Sequence, residues 1–398
     1  MMRTTLFSSL AIFLLVFSSC RSKVEDRKPV ISVPFVPTTT IDIGKFIERV
    51  HYVQLENRPE SAFTDIDKMI VSGGNMFMLD KRLEALFCFD TTGKFRYRIQ
   101  RVGKGPGEYQ ELDAMWVKPV EKELWLQSLW PTKIMVYNFD GQMLREFNIR
   151  WSARDMVRLG NGLLAGYNST RSDDGADSLD EGVFLLSEDG KYMGQPKSVG
   201  DSTVYWSMSY QRNLEEFGDG ALLLTQSDTI FKIDRDGKVL PDAYLDWGEL
   251  RIPDPLREIC FNSPQFRGFD PGKYVSAKDQ LVAFGPIRLF RIISGGRLSI
   301  AVADLNSGKG IFSTQLSCTL AKIPLLYPLA KSDRNELIGM YDMSLLLAMK
   351  ESQANRPEDL KTQSLYQPMD SMVKSALLQD RPVLWFAKIK EEWLTKSY

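Results

Sequence analysis

Histidine is nearly missing from this chain: His51 is the only one in 398 residues. A zinc site built on several histidines is therefore excluded, and a Ser-His-Asp triad would have to use His51. No Gly-x-Ser-x-Gly elbow accompanies it. Cysteine is scarce as well. Of the four, Cys20 ends an N-terminal apolar run, which leaves Cys88, Cys260 and Cys318. Three thiols form at most one disulfide, so this is no disulfide scaffold. Cys88 lies in the apolar stretch ALFCFD and is expected to be a buried free thiol. Net charge is almost nil, at 50 basic and 51 acidic residues. With no basic stripe, nucleic acid is not an expected partner. Beyond the N-terminus no apolar run is long enough to span a bilayer as a helix.

What the N-terminus does contain is informative. Arg3 precedes an apolar run from Leu6 to Phe17, which ends in Ser18, Ser19 and Cys20. The run is too short for a membrane span, so residues 1–19 read as a signal peptide. The small pair before a cysteine resembles a bacterial lipobox, where cleavage precedes a cysteine that then carries lipid. Residues 20–40, polar and then proline-dotted, read as a lipidated N-terminus and tether. Residues 41–398 read as one domain.

That domain repeats. A strand ending in a turn with Asp, Asn or Thr before Gly recurs as FCFDTTGKF, MVYNFDGQM, FLLSEDGKY, FKIDRDGKV and VADLNSGKG. The turn glycines are Gly93, Gly141, Gly190, Gly237 and Gly308, at spacings of 48, 49, 47 and 71 residues. Such turns between apolar runs are hairpin signals, because glycine accepts positive φ. Another strand precedes each turn: NMFMLD, ELWLQS, GLLAGYN, ALLLTQS and RLSIAVADL. Units of this size made of short antiparallel strands suit propeller blades, whose faces are covered only by stacking in a ring. A sixth unit is assembled from both ends: residues 38–56 before the first turn, ELIGMYD and RPVLWFAKIK after the last. The expected fold is all-β, a six-bladed β-propeller of four-stranded antiparallel blades. Short C-terminal helices, at 343–354 and 371–379, are inserted in its last blade. The surplus in the longest interval is expected within 248–285. A polar insertion at 169–182 reads as a hairpin tip on one face.

The stretch FDTTGKFRYRIQRVGKGPGEYQELDAMWV carries a resemblance. It looks like the first complete blade of the six-bladed β-propeller lipoproteins of Bacteroidetes, which share a Gly-x-Gly-Pro-Gly-Glu-Tyr loop. Here that loop is Gly103, Gly105, Pro106, Gly107, Glu108 and Tyr109. The ending RPVLWFAKIK also resembles the family's closing strand. The resemblance covers residues 40–390 and implies a fold and an exported lipoprotein of the outer membrane, with little chemistry.

The same loop is neither a phosphate cradle nor a dinucleotide fingerprint. Its glycine spacing is wrong for both, and no βαβ unit surrounds it. It reads first as a crossover between blades, and second as a rim where Lys104, Glu108 and Tyr109 face a ligand. His51 shares an alternating face with Val53 and Leu55 and is expected in the core. Aromatic residues near predicted strand ends, Trp130, Trp151 and Trp206 with Arg154 nearby, give the further candidates for holding a ligand. No catalytic residue and no metal ligand is assigned. Calcium on the axis, as in propeller lactonases, has no local motif here, and the acids of 173–181 lack EF-hand alternation. The expected function is non-catalytic binding of a glycan, peptide, small molecule or partner protein at the cell envelope, with Cys20 anchoring the chain to membrane. The alternatives are a metal-assisted hydrolase or lactonase using axial carboxylates, and a structural part of an envelope complex.

Overall fold

The computed structural model describes residues 30–168, 172–174, 177–180, 182–196, 213–225, 227–253, 271–321, 323–325, 327–341, 347, 351, 375–376 and 381–395. These are almost wholly β. The strands fall into successive antiparallel groups of four. Sheet I is Lys68–Ser72, Asn75–Asp80, Ala85–Asp90 and Phe95–Ile99. Sheet II is Glu111–Lys118, Glu123–Trp130, Lys133–Asn138 and Met143–Asn148. Sheet III is Asp155–Arg158, Leu164–Asn168, Gly182–Leu186 and Tyr192–Gly194. Sheet IV is Leu214–Phe217, Gly220–Leu224, Thr229–Ile233 and Val239–Asp246, and sheet V is Val275–Phe284, Ile287–Ser294, Arg297–Asp304 and Lys309–Ser313. Sheet VI is Ala330–Lys331, Glu336–Tyr341, Val383–Ile389 and, from the other end of the chain, Ile47–Gln54.

The middle strands explain themselves by composition. NMFMLD and ALFCFD, the second and third of sheet I, are apolar along nearly their whole length and buried on both faces. Runs of this kind suit strands covered on each side by another sheet. The fourth strand, Phe95–Ile99, alternates between covered and exposed positions and so faces neighbour and solvent in turn. Every recurrent glycine turn joins a third strand to a fourth, with φ from +61° to +88°. Gly93 shows why no other residue serves, since a Cβ there would lie 2.1 Å from the Gln54 carbonyl oxygen.

Packing between sheets is what organises the molecule. Six apolar clusters are present, and each joins two consecutive sheets. Phe77 and Leu86 meet Leu112 and Met115 between sheets I and II. Trp116 and Trp125 meet Phe184 between II and III, Ala165 meets Leu223 between III and IV, and Leu222 meets Phe290 between IV and V. Phe284 meets Trp385 between V and VI, and Phe386 meets Phe87 between VI and I. The sequence of contacts returns to its start, and the first strands line the inside. The arrangement is propeller-like. Sheet VI unites strands from the two ends of the chain, as the sequence leads one to expect.

Some expectations shift. Residues 20–40 were expected as tether, but from Ile31 they are part of the fold. Ile31–Pro34 pairs in parallel with sheet IV and Phe35–Pro37 with sheet V, uniting those two sheets as nine strands. The alternating apolar residues of ISVPFVP are the reason, with Val33 and Phe35 buried. Ile41–Asp42 pairs with Leu316–Cys318 beyond it. The insertion at 169–182 contains a hairpin, Ser172–Asp174 against Asp177–Leu179. Of the two expected helices, only Leu347, Glu351, Ser375 and Ala376 are described, and all are helical. The extra residues before sheet V fall largely outside the described residues. No helix among the described residues is long and apolar enough to cross a membrane.

Candidate functional site

The glycine loop at 101–110 closes on itself. The Gly105 amide donates to Glu108 Oε2 at 2.8 Å and the Gly103 amide donates to the Tyr109 carbonyl at 2.8 Å. Tyr109 is fully buried, its hydroxyl donating to the Glu84 carbonyl at 2.9 Å and accepting from the Arg101 amide at 3.2 Å. Burial drives the phenol pKa upward. The loop is the crossover from sheet I to sheet II, and Tyr109 does not face a ligand because the core has taken it. Lys104 is exposed on the loop. Trp151 is buried in the cluster between sheets II and III, with the Arg150 guanidinium 5.1 Å from its ring. Arg154 begins sheet III through its amide, which donates to the Tyr167 carbonyl. Trp130 is 60% exposed at the end of a strand in sheet II. Trp206 and Cys20 lie outside the described residues.

None of these described candidates lines the cavity that the ring encloses. That cavity, of about 290 Å³, is walled by the first strands of sheets I, II, III, IV and VI and the residues at their ends. Lys68 and Ser72 come from sheet I, Trp116 from sheet II, Glu215 and Glu216 from sheet IV, and Lys331 and Asp333 from sheet VI and the turn after it. Asp155, 2% exposed, braces the wall. It accepts the Lys68 ammonium at 2.7 Å, the Met156 amide at 3.0 Å and the Leu214 amide at 2.9 Å, tying the first strands of sheets I, III and IV together.

Other polar groups here are uncommitted. The Glu216 carboxylate has no hydrogen bond or ion pair among the described residues. Its side chain is open to the cavity, yet the surrounding strands crowd it. Desolvation pushes its carboxyl pKa upward and Glu215 adds to this, against the pull of Lys68, Lys331 and Arg158. The Lys331 ammonium gives one hydrogen bond, to the Ala283 carbonyl at 2.7 Å, and has two donors left. The Ser72 hydroxyl and the Trp116 indole N–H are buried without a partner among the described residues. An unpaired buried polar atom costs stability, so natural cores rarely keep several together. Here the Glu216 acceptor and the Lys331 donor line one space, and two further donors are buried in its wall.

This set was missed in the sequence because it sits on the first strands. KMIVS, DMVR and LEEF are short and carry charge, so neither periodicity nor composition marks them. The available signal was the repeat itself: a strand two before the third must lie inside. His51 also departs from expectation. It is exposed rather than core, stacked on Phe386 at 4.9 Å between ring centroids. Ile47–Gln54 is the outermost strand of sheet VI, where the neighbouring sheet covers only part of the face. The described residues hold no group of three or more His, Cys, Asp or Glu placed to bind a metal.

Comparison with known proteins agrees with the fold. A protein described as exported from Bacteroides fragilis NCTC 9343 superposes with a TM-score of 0.70 at 16% identity, over 91% of this chain and 99% of that one. A protein of unknown function from Bacteroides caccae gives 0.39 at 9% identity, over 62% and 79%. BamB from Moraxella catarrhalis gives 0.38 at 12%, over 65% and 63%. Only the first of these is close enough to speak to the fold. No curated protein sequence matches. A family profile does match over residues 30–372, and the chain belongs to that family, described as a domain of unknown function, DUF4934.

Proposed function

We propose that the six sheets are the blades of a six-bladed β-propeller and that its axial cavity binds a small polar ligand without catalysing a reaction on it. The observation that carries the reading is that Glu216 and Lys331, each with hydrogen-bonding capacity left unused among the described residues, line one half-open cavity, with the unpartnered Ser72 hydroxyl and Trp116 indole N–H buried in its wall. Six clusters, one per junction, support the blade count. The size of the axial cavity suits a small molecule, or the end of a glycan or peptide. We place the protein in the bacterial cell envelope as an outer-membrane lipoprotein anchored through Cys20. The N-terminal signal supports this, and so does the likeness to an exported Bacteroides protein.

Calorimetric titration with polar amines, acids, oligosaccharides and short peptides tests the cavity. A ligand bound by the protein should bind about tenfold more weakly to Glu216→Gln or Lys331→Met, the loss of one charged hydrogen bond. Turnover of the bound ligand, or affinity indifferent to both substitutions, would contradict the reading. Labelled fatty acid should enter the expressed protein and be lost in Cys20→Ser; label retained in that variant would remove the anchor from the account.

A further inference from the structure

Beside the axial cavity lies a second one, of about 530 Å³, between sheet VI and sheet I. The two share Val71, Ser332, Asp333 and Asn335 as lining, so the second continues the first outward from the axis. Its chemistry is different. Arg49, His51, Arg334 and Lys388 line it.

Strand register explains how the cations come together. Arg49 stands opposite Lys388 across the outer pair of strands in sheet VI, and Lys388 stands opposite Glu336 on the next strand. Like charges directly opposite on neighbouring strands repel, which disfavours this pairing unless something between them is negative. Glu336 answers Lys388 from the far side, but no acid stands opposite Arg49 across a strand pair. Among the described residues neither the Arg49 nor the Arg334 guanidinium has a hydrogen bond or an ion pair. Lys388 donates to the Arg334 carbonyl at 2.6 Å. Of the two acids in the lining, Asp333 Oδ2 already accepts the Gly73 amide at 2.9 Å, and Glu336 is 8% exposed. Two residues along from Arg49, on the same face, the His51 ring has one side on Phe386.

We propose that this groove is an oxyanion subsite, in which Arg49, Arg334 and Lys388 receive a carboxylate or phosphate group. Guanidinium groups suit such planar or tetrahedral anions by offering paired N–H donors, and two of the three cations are fixed on strands. The subsite stands by itself; that its ligand extends inward to the axis rests on the reading of the axial cavity given above.

The test is titration of the purified protein at low ionic strength with inorganic phosphate, with glucuronate and with glucose. Glucuronate or phosphate should bind, glucose should not, and added salt should weaken binding because exposed charges are screened. Arg49→Gln and Arg334→Gln should each weaken anion binding about tenfold, while Arg49→Lys, which keeps the charge but loses the paired donors, should weaken it less than Arg49→Gln. Binding of phosphate alone assigns the subsite to phosphate groups, and binding of glucuronate alone to carboxylates; either supports it. Glu216→Gln and Lys331→Met separate the two cavities. If these, and not the arginine variants, abolish anion binding, the anion sits on the axis and the groove proposal fails while the axial reading survives. Absence of binding by both anions, or glucose binding equal to glucuronate, overturns the subsite outright.

Discussion

Glu216 is held where ionisation is disfavoured, and this makes it a source of instability as well as a candidate ligand contact. A carboxyl whose folded pKa lies above its unfolded value binds protons more tightly in the native state. Stability therefore falls as pH rises from the ordinary carboxylate pKa through the raised one. Glu216→Gln should remove that fall. The variant is expected to be more stable than the native protein at neutral pH, with the difference vanishing below the ordinary carboxylate range. Thermal unfolding of both proteins across pH measures it, and equal melting curves at every pH would show that Glu216 is not strained. The thiols show the opposite use of burial. Desolvation pushes Cys88 up to about 12 and also raises Cys318. Both are free and buried, so neither should react with a thiol reagent at pH 8 until the protein unfolds. Rapid labelling of either in the folded state would contradict this packing.

Among the elements, the strand Ile31–Pro37 has the clearest structural task. Phe35 stacks on Trp247 with ring centroids 4.2 Å apart, and the Phe35 ring lies where a side chain on Gly310 would be. Phe35→Ala should cost about 3–5 kcal/mol, the usual range for emptying an aromatic site in a core. A chain beginning at Ile31 should fold, whereas one beginning at Thr38 should lose stability first between sheets IV and V. Hydrogen exchange resolves where protection is lost, and unchanged protection in that region would show the strand to be dispensable. This element also marks what could be read in advance. The third and fourth strands of five sheets were legible, because Asp-Gly and related turns punctuate apolar runs. The second strands of sheets I to IV were legible from composition, whereas in sheet V the strand read as second, RLSIAVADL, is the third and Ile287–Ser294 precedes it. The first strands were not, since LEEF and DMVR are too short and too charged to show a period. The N-terminal strand was hidden by Pro34 and Pro37. Prolines suggest a tether, yet they are tolerated in a strand that only bridges the outer edges of two sheets.

At the scale of the molecule, six junctions between sheets replace a single central core, and charged and apolar residues together line the space at the centre. That follows from the ring: apolar middle strands are covered by neighbours, while the innermost strands face a space that admits Lys68, Glu216 and Lys331 beside Met69, Ile70 and Leu214. The candidate site was illegible in sequence for the same reason. Lys68, Trp116, Glu216 and Lys331 are distant along the chain and meet only because the ring closes, whereas the Gly-Pro-Gly-Glu-Tyr loop, conspicuous in sequence, is a buried corner. Asp155 should be the point where this centre is most easily loosened. Asp155→Ala leaves the Lys68 ammonium unpaired and two amides without acceptors, and should cost about 3–5 kcal/mol. Denaturant unfolding measures this. A loss below about 1 kcal/mol, typical of exposed pairs, would mean that the axial wall is held by its strands alone.

The most direct test of the account is a crystal structure of the protein with a ligand identified by titration. Density for that ligand in the axial cavity, within hydrogen-bonding distance of both Glu216 and Lys331, is the predicted result. A ligand seated instead on the outer rim near Trp130 and Lys104, with the axial cavity holding only water, would contradict it.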